Sequence, residues 1–64
     1  KEYADAMEDL TKAISLHPTG AEAYYFRALC KFFSRDISGS CTDLKKAVDL
    51  GSKPALLELS KSCK

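Results

Sequence analysis

Sixty-four residues make at most one small domain, and a core of that size is thin without a staple, a metal or a partner. With 45% hydrophobic residues, ten Lys/Arg and nine Asp/Glu, the composition excludes a disordered chain. A net charge of +1 excludes a basic nucleic-acid footprint and a polybasic membrane signal. No apolar run approaches the ~18 residues that membrane insertion needs, and Lys1-Glu2-Tyr3-Ala4-Asp5 does not read as a signal peptide.

The first predicted element runs from Tyr3 to Leu16. Its apolar residues, Tyr3, Ala6, Met7, Leu10, Ala13 and Ile14, step by three and four and draw one stripe on a helix. Pro18 ends it, since the residue before a proline avoids helical geometry, and Thr19-Gly20 complete a turn. The second helix covers Ala21 to Ser34, with Thr19 and Glu22 in a capping-box pattern. Tyr24, Tyr25, Phe26, Leu29, Phe32 and Phe33 make it apolar on more than one side, as expected of a helix with two neighbours or a ligand.

The third helix spans Asp36 to Leu50. Asp36 is its expected N-cap, Ile37, Ser40, Cys41, Leu44, Ala47 and Val48 form its stripe, and Gly51 suits the left-handed position after its end. Gly39 weakens its first turn by up to ~1 kcal/mol relative to Ala. Pro54 then fits the first position of a last helix, Ala55 to about Cys63. That helix is expected to bury Leu56, Leu59, Ser60 and Cys63 and to leave Lys53, Glu58, Lys61 and Lys64 in water. No segment alternates with period two, so the fold class is all-α with about four helices.

Cys30, Cys41 and Cys63 are odd in number, far apart and without metal-ligand spacing. They read as three small buried apolar residues in a reducing, cytoplasmic compartment. One Cys30–Cys41 or Cys41–Cys63 bridge stays open. His17, the only histidine, reads as a turn residue at a helix end, where the dipole favours its cation. Glu8, Asp9 and Asp43 read as residues on the wet sides of their helices. No Cys–His dyad, phosphate loop, metal spacing or hydrolase elbow is present, so neither enzyme activity nor a cofactor is expected.

Shifting the chain by 34 residues sets Asp9 on Asp43, Leu10 on Leu44, Lys12 on Lys46, Ala13 on Ala47 and Leu16 on Leu50. Ala21 falls on Ala55, and helix and turn alternate in the same order, the pattern of stacked supersecondary units. Residues Ala21-Glu22-Ala23-Tyr24-Tyr25-Phe26-Arg27-Ala28 resemble the first helix of a tetratricopeptide repeat, with aromatic Tyr24 and small Ala28 four apart. Asp36, Leu44, Ala47 and Leu50 resemble its second helix. Ala6, Leu10, Ala13, Leu16, His17 and Pro18 resemble the second helix of a preceding repeat. Arg27 stands where Leu is commoner, Lys31 where Tyr is commoner, Ser40 where Ala is usual and Ser52 where a closing Pro is usual.

The resemblance implies antiparallel helix pairs in a right-handed α-α superhelix. Residues 1–18 would be the second helix of one repeat, 19–52 a full repeat and 53–64 a solvating cap. It also implies that Lys1 is a truncation point in a longer array. By the same resemblance, Tyr24 and Ala28 face the interior, while Glu22, Tyr25, Phe26, Leu29, Phe32 and Phe33 lie on the concave groove or its edge. Phe32 and Phe33 are equally well read as packing on a neighbouring helix. Glu22 and Phe26 occupy positions where carboxylate-gripping repeats carry Asn, Lys or Arg, which argues against an acidic C-terminal peptide. The implied function is a non-catalytic scaffold that binds a protein or peptide segment. The alternatives are a purely structural terminal cap, a self-associating helical module, or a regulatory appendage of an enzyme encoded upstream.

Overall fold

The computed structural model describes residues 2–63, so the expected solvation of Lys64 lies outside it. The chain forms α1 (Glu2–Leu16), α2 (Ala21–Phe33), α3 (Ile37–Asp49) and α4 (Lys53–Ser62), with no strand among the described residues. Turns of three or four residues fold each helix back on its predecessor, so α2 packs between α1 and α3, and α3 between α2 and α4. The resulting slab measures 27 × 25 × 14 Å, little thicker than a single helix. That thinness explains a small core. Ala28, Leu44, Ala47 and Ala55 are buried, with Tyr24, Tyr25, Val48, Leu59 and Cys63 against them.

Three of the four core residues are alanines, so backbones approach closely, and Leu44, at 1% exposure, supplies the largest buried side chain. Burying it fully contributes about 2 kcal/mol. Helix ends follow local chemistry. The Asp36 carboxylate accepts the Gly39 N–H at 3.1 Å, the expected cap. A Cβ at Gly39 would crowd that carboxylate, which would have to shift to keep the bond. The Ser52 hydroxyl caps α4 by accepting the Ala55 N–H at 3.2 Å.

Both α2 and α3 end in the same two-bond closure. The Asp36 N–H reaches Lys31 O at 2.8 Å and the Arg35 N–H reaches Phe32 O at 3.0 Å. After α3, the Ser52 N–H reaches Ala47 O and the Gly51 N–H reaches Val48 O, each at 2.9 Å. The left-handed residue is Gly51 (φ +100°) in one turn and Arg35 (φ +71°) in the other. An arginine there lies outside what composition signals.

Several expectations are corrected. Gly20, not Thr19, is the N-cap of α2, and no side chain caps it. Helix α4 starts at Lys53, two residues earlier than expected, because Ser52 provides the cap. Its inner face is Ala55, Leu59 and Cys63, while Leu56 (53% exposed) and Ser60 face out. Glu58 is half-buried and accepts the Ser62 hydroxyl at 2.9 Å. Cys41 and Cys63 form a disulfide, so only Cys30 remains a free thiol. Asp43 is buried at 3% exposure rather than wet.

Candidate functional site

Asp43 lies in the stripe of Ser40, Leu44 and Ala47, spaced i, i+3, i+4 and i+7, so folding α3 onto α2 buries it. An unpaired carboxylate there would be costly. Arg27 of α2 answers it with a fork, Nε donating to one carboxylate oxygen at 2.8 Å and Nη2 to the other at 2.9 Å. Lys31, one turn further on, adds its ammonium at 3.1 Å. Arg27 also lies over the Tyr24 ring at 5.4 Å and reaches the Thr11 hydroxyl of α1 at 3.4 Å. Burial pushes the Asp43 carboxyl up, but the hydrogen bonds and charges of Arg27 and Lys31 outweigh it and hold the group below the usual carboxylate range. The Asp43 hydrogen bond in turn raises the Arg27 pKa against the opposing effect of burial. Arg27 and Lys31, two cations four apart on the otherwise largely apolar α2, are therefore the two that neutralise Asp43.

Arg27 directs Nε and Nη2 to Asp43 and Nη1 towards Thr11, so the fork is engaged within the fold. The open chemistry lies one turn earlier on the helix. A groove of about 420 Å³ runs between the start of α2 and the α3–α4 turn. Ala21, Glu22, Tyr25 and Phe26 form one wall, and Gly51, Ser52, Lys53 and Pro54 the other. Phe26 is 49% exposed, and its ring meets Tyr25 at 5.5 Å, tilted by 51°. Tyr25 has a second role, since it also packs on the core. Glu22 and Lys53 are both exposed, so the apolar floor has a charge of each sign at its rim.

Of the six residues expected at a groove, the structure brings Glu22, Tyr25 and Phe26 together. Phe32 and Phe33 belong to a separate aromatic group. Phe33 stacks on Tyr3 of α1 at 5.7 Å, and Phe32 meets Phe33 edge-on at 5.7 Å. Phe33 keeps 58% exposure even so. Leu29 is half-buried and lines no part of the groove. Sequence reasoning did not foresee the wall from Gly51 to Pro54, which no local signal links to α2. The Asp43 pairing did have a signal, an acid inside an apolar stripe and two cations four apart on an apolar helix.

No group of three or more His, Cys, Asp or Glu residues that could hold a metal occurs among the described residues. Among them, no helix is long and apolar enough to cross a membrane. Comparison with protein-family models, with curated proteins and with solved structures finds no match.

Proposed function

We propose that this chain is a protein-interaction module of the tetratricopeptide-repeat kind, part of a right-handed α-α superhelix, that holds a peptide segment without catalysis. The groove between α2 and the α3–α4 turn supports this reading. It combines an exposed aromatic, Phe26, with Glu22 and Lys53 at its rim. Exposed apolar surface in a concave setting favours binding, and Tyr25 offers area with a hydrogen-bonding tip. The partner is a protein or peptide segment with one apolar side chain for Phe26 and flanking groups of opposite charge. An extended segment or a short helix suits a groove of this kind. A net charge of +1 supports no nucleic-acid partner. The cytoplasmic placement expected from free thiols loses its support from the Cys41–Cys63 bond, because such bonds persist in oxidising compartments.

Selection from a displayed random-peptide library tests the groove. Peptides that bind the native chain should lose about tenfold in affinity with Phe26→Ala, an exposed aromatic anchor. They should also respond to Lys53→Glu. A pool indifferent to both substitutions sinks the reading. Phe26 is preferred to Tyr25 for this purpose because Tyr25→Ala would also disturb the core.

The second reading is self-association. Helix α4 turns Leu56 (53%) and Leu57 (67%) outward, the reverse of a solvating cap, and Leu16 of α1 is 70% exposed. Sedimentation across a concentration series separates the two readings.

A further inference from the structure

Helix α4 is attached to α3 at its two ends by different means. At its start, backbone bonds tie the turn to the end of α3, Gly51 N–H to Val48 O and Ser52 N–H to Ala47 O, each at 2.9 Å. Gly51 holds φ +100°, and a Cβ there would meet no atom within 4 Å, so the turn has open space around it. At its far end, Cys63 is bonded to Cys41. Between these points only Ala55 and Leu59 reach the core, while Leu56, Leu57, Ser60 and Lys61 are exposed. A helix of ten residues is marginal on its own in water. Helix α4 is therefore an arm hinged at Gly51 and fastened at Cys63.

The hinge end is also the groove. Gly51, Ser52, Lys53 and Pro54 form the wall opposite Glu22, Tyr25 and Phe26. Lys53 and Pro54 belong to the first turn of α4, so their place depends on Ala55 staying docked. The geometry points to the Cys41–Cys63 bond as a redox latch on this groove, which rests on the groove being a peptide site. A dithiol reductant opens the bond, α4 leaves the core, and the wall carrying Lys53 and Pro54 is lost. Neither cysteine is sealed in the core, as a bond that must meet a reductant requires. A thiolate of the reductant attacks one sulfur, the S–S bond breaks, and the other cysteine leaves as a thiolate that takes a proton. The reductant's second thiolate then displaces the remaining cysteine, which takes the second proton. The dithiol is oxidised by two electrons to a disulfide, and Cys41 and Cys63 are reduced to thiols.

The test compares the oxidised chain with the chain reduced by dithiothreitol, both carrying Cys30→Ser so that no third thiol shuffles the bond. Reduction should quicken amide hydrogen exchange across Leu57 to Ser62 about tenfold beyond any change in α2 and α3. Peptides selected on the oxidised chain should bind the reduced one about tenfold more weakly, as when the docked fraction falls to about a tenth. Cys41→Ser/Cys63→Ser should match the reduced chain in both measurements and ignore dithiothreitol. Equal protection of α4 in the two states overturns the latch. So does exchange that quickens to the same extent in α2, α3 and α4, which makes the bond a staple of the whole fold. Peptides that need Phe26 yet bind both states equally overturn the latch and leave the groove reading standing. Peptides indifferent to Phe26→Ala sink the groove reading instead, and exchange at α4 then decides the latch by itself.

Discussion

The two seams of α3 are closed by different means. Against α2 it presents Leu44 and Ala47 to Ala28 and neutralises Asp43 with Arg27 and Lys31. Against α4 it offers less: Ala55, Leu59 and Cys63 complete the contact, and the Cys41–Cys63 bond ties it covalently. Helix α4 has ten residues and turns two leucines outward, so its non-covalent hold is small. A seam with a continuous buried stripe closes by packing and ion pairing. A short helix with little to bury is held by a bond that limits the unfolded chain.

The largest effect is expected at the α3–α4 seam. Replacing both partners (Cys41→Ser/Cys63→Ser) opens a loop with a sequence separation of 22. Chain entropy then puts the loss at about 3 kcal/mol. For a domain of this size that lowers the melting temperature by roughly 15 °C. Calorimetry of the variant and of the reduced native chain should agree, and a change of only a few degrees would show that α4 docks adequately without the bond.

The α2–α3 seam should respond nearly as strongly to Asp43→Ala. This substitution strands Arg27 and Lys31, at a cost of about 3 kcal/mol, the low end for a broken buried pair because both cations keep partial exposure. Urea unfolding measures it. Arg27→Leu/Asp43→Ala should recover most of the loss, since an apolar pair removes the unpaired charge and Lys31 can swing into water. The native pair also predicts a pH dependence. The folded Asp43 pKa lies below its unfolded value, so its contribution is complete above the ordinary carboxylate pKa of ~3.9 and is lost as pH falls through the folded value. The Asp43→Ala variant should lack this acid-side component.

The smallest effects separate the two turns. Arg35 pays the left-handed penalty that Gly51 avoids. Arg35→Gly should stabilise by about 0.5 kcal/mol and Gly51→Ala destabilise by about 1 kcal/mol. A Cβ at Gly51 would meet no atom within 4 Å, so that loss reports backbone strain alone. Equal responses from both turns would mean that Arg35 gains compensating interactions.

Legibility from sequence followed the range of each interaction. The α1 stripe, the Asp36 cap and the Gly51 turn each depend on residues within a few positions, and they were readable. Three of the six expected groove residues meet in one cavity, because they share one face at the start of α2. Phe32 and Phe33 turn instead towards Tyr3, which periodicity along α2 cannot reveal. The inner face of α4 was misread because Leu56 looks apolar in isolation. What selects its buried side is Cys63 bonding to Cys41, together with Ala55 fitting against the core.

By itself, the sequence determined that this chain is all-helical, where its helices begin and end to within two residues, and which helix is richest in aromatics. Capping, turn geometry and the 3.6-residue period are local and act before distant segments meet. Only the tertiary structure decided that Asp43 is buried and paired, that Cys41 takes Cys63 and leaves Cys30 free, and that the groove's far wall is the α3–α4 turn. Each of these joins residues far apart in the chain, and burial in a slab this thin depends on which helix lies alongside.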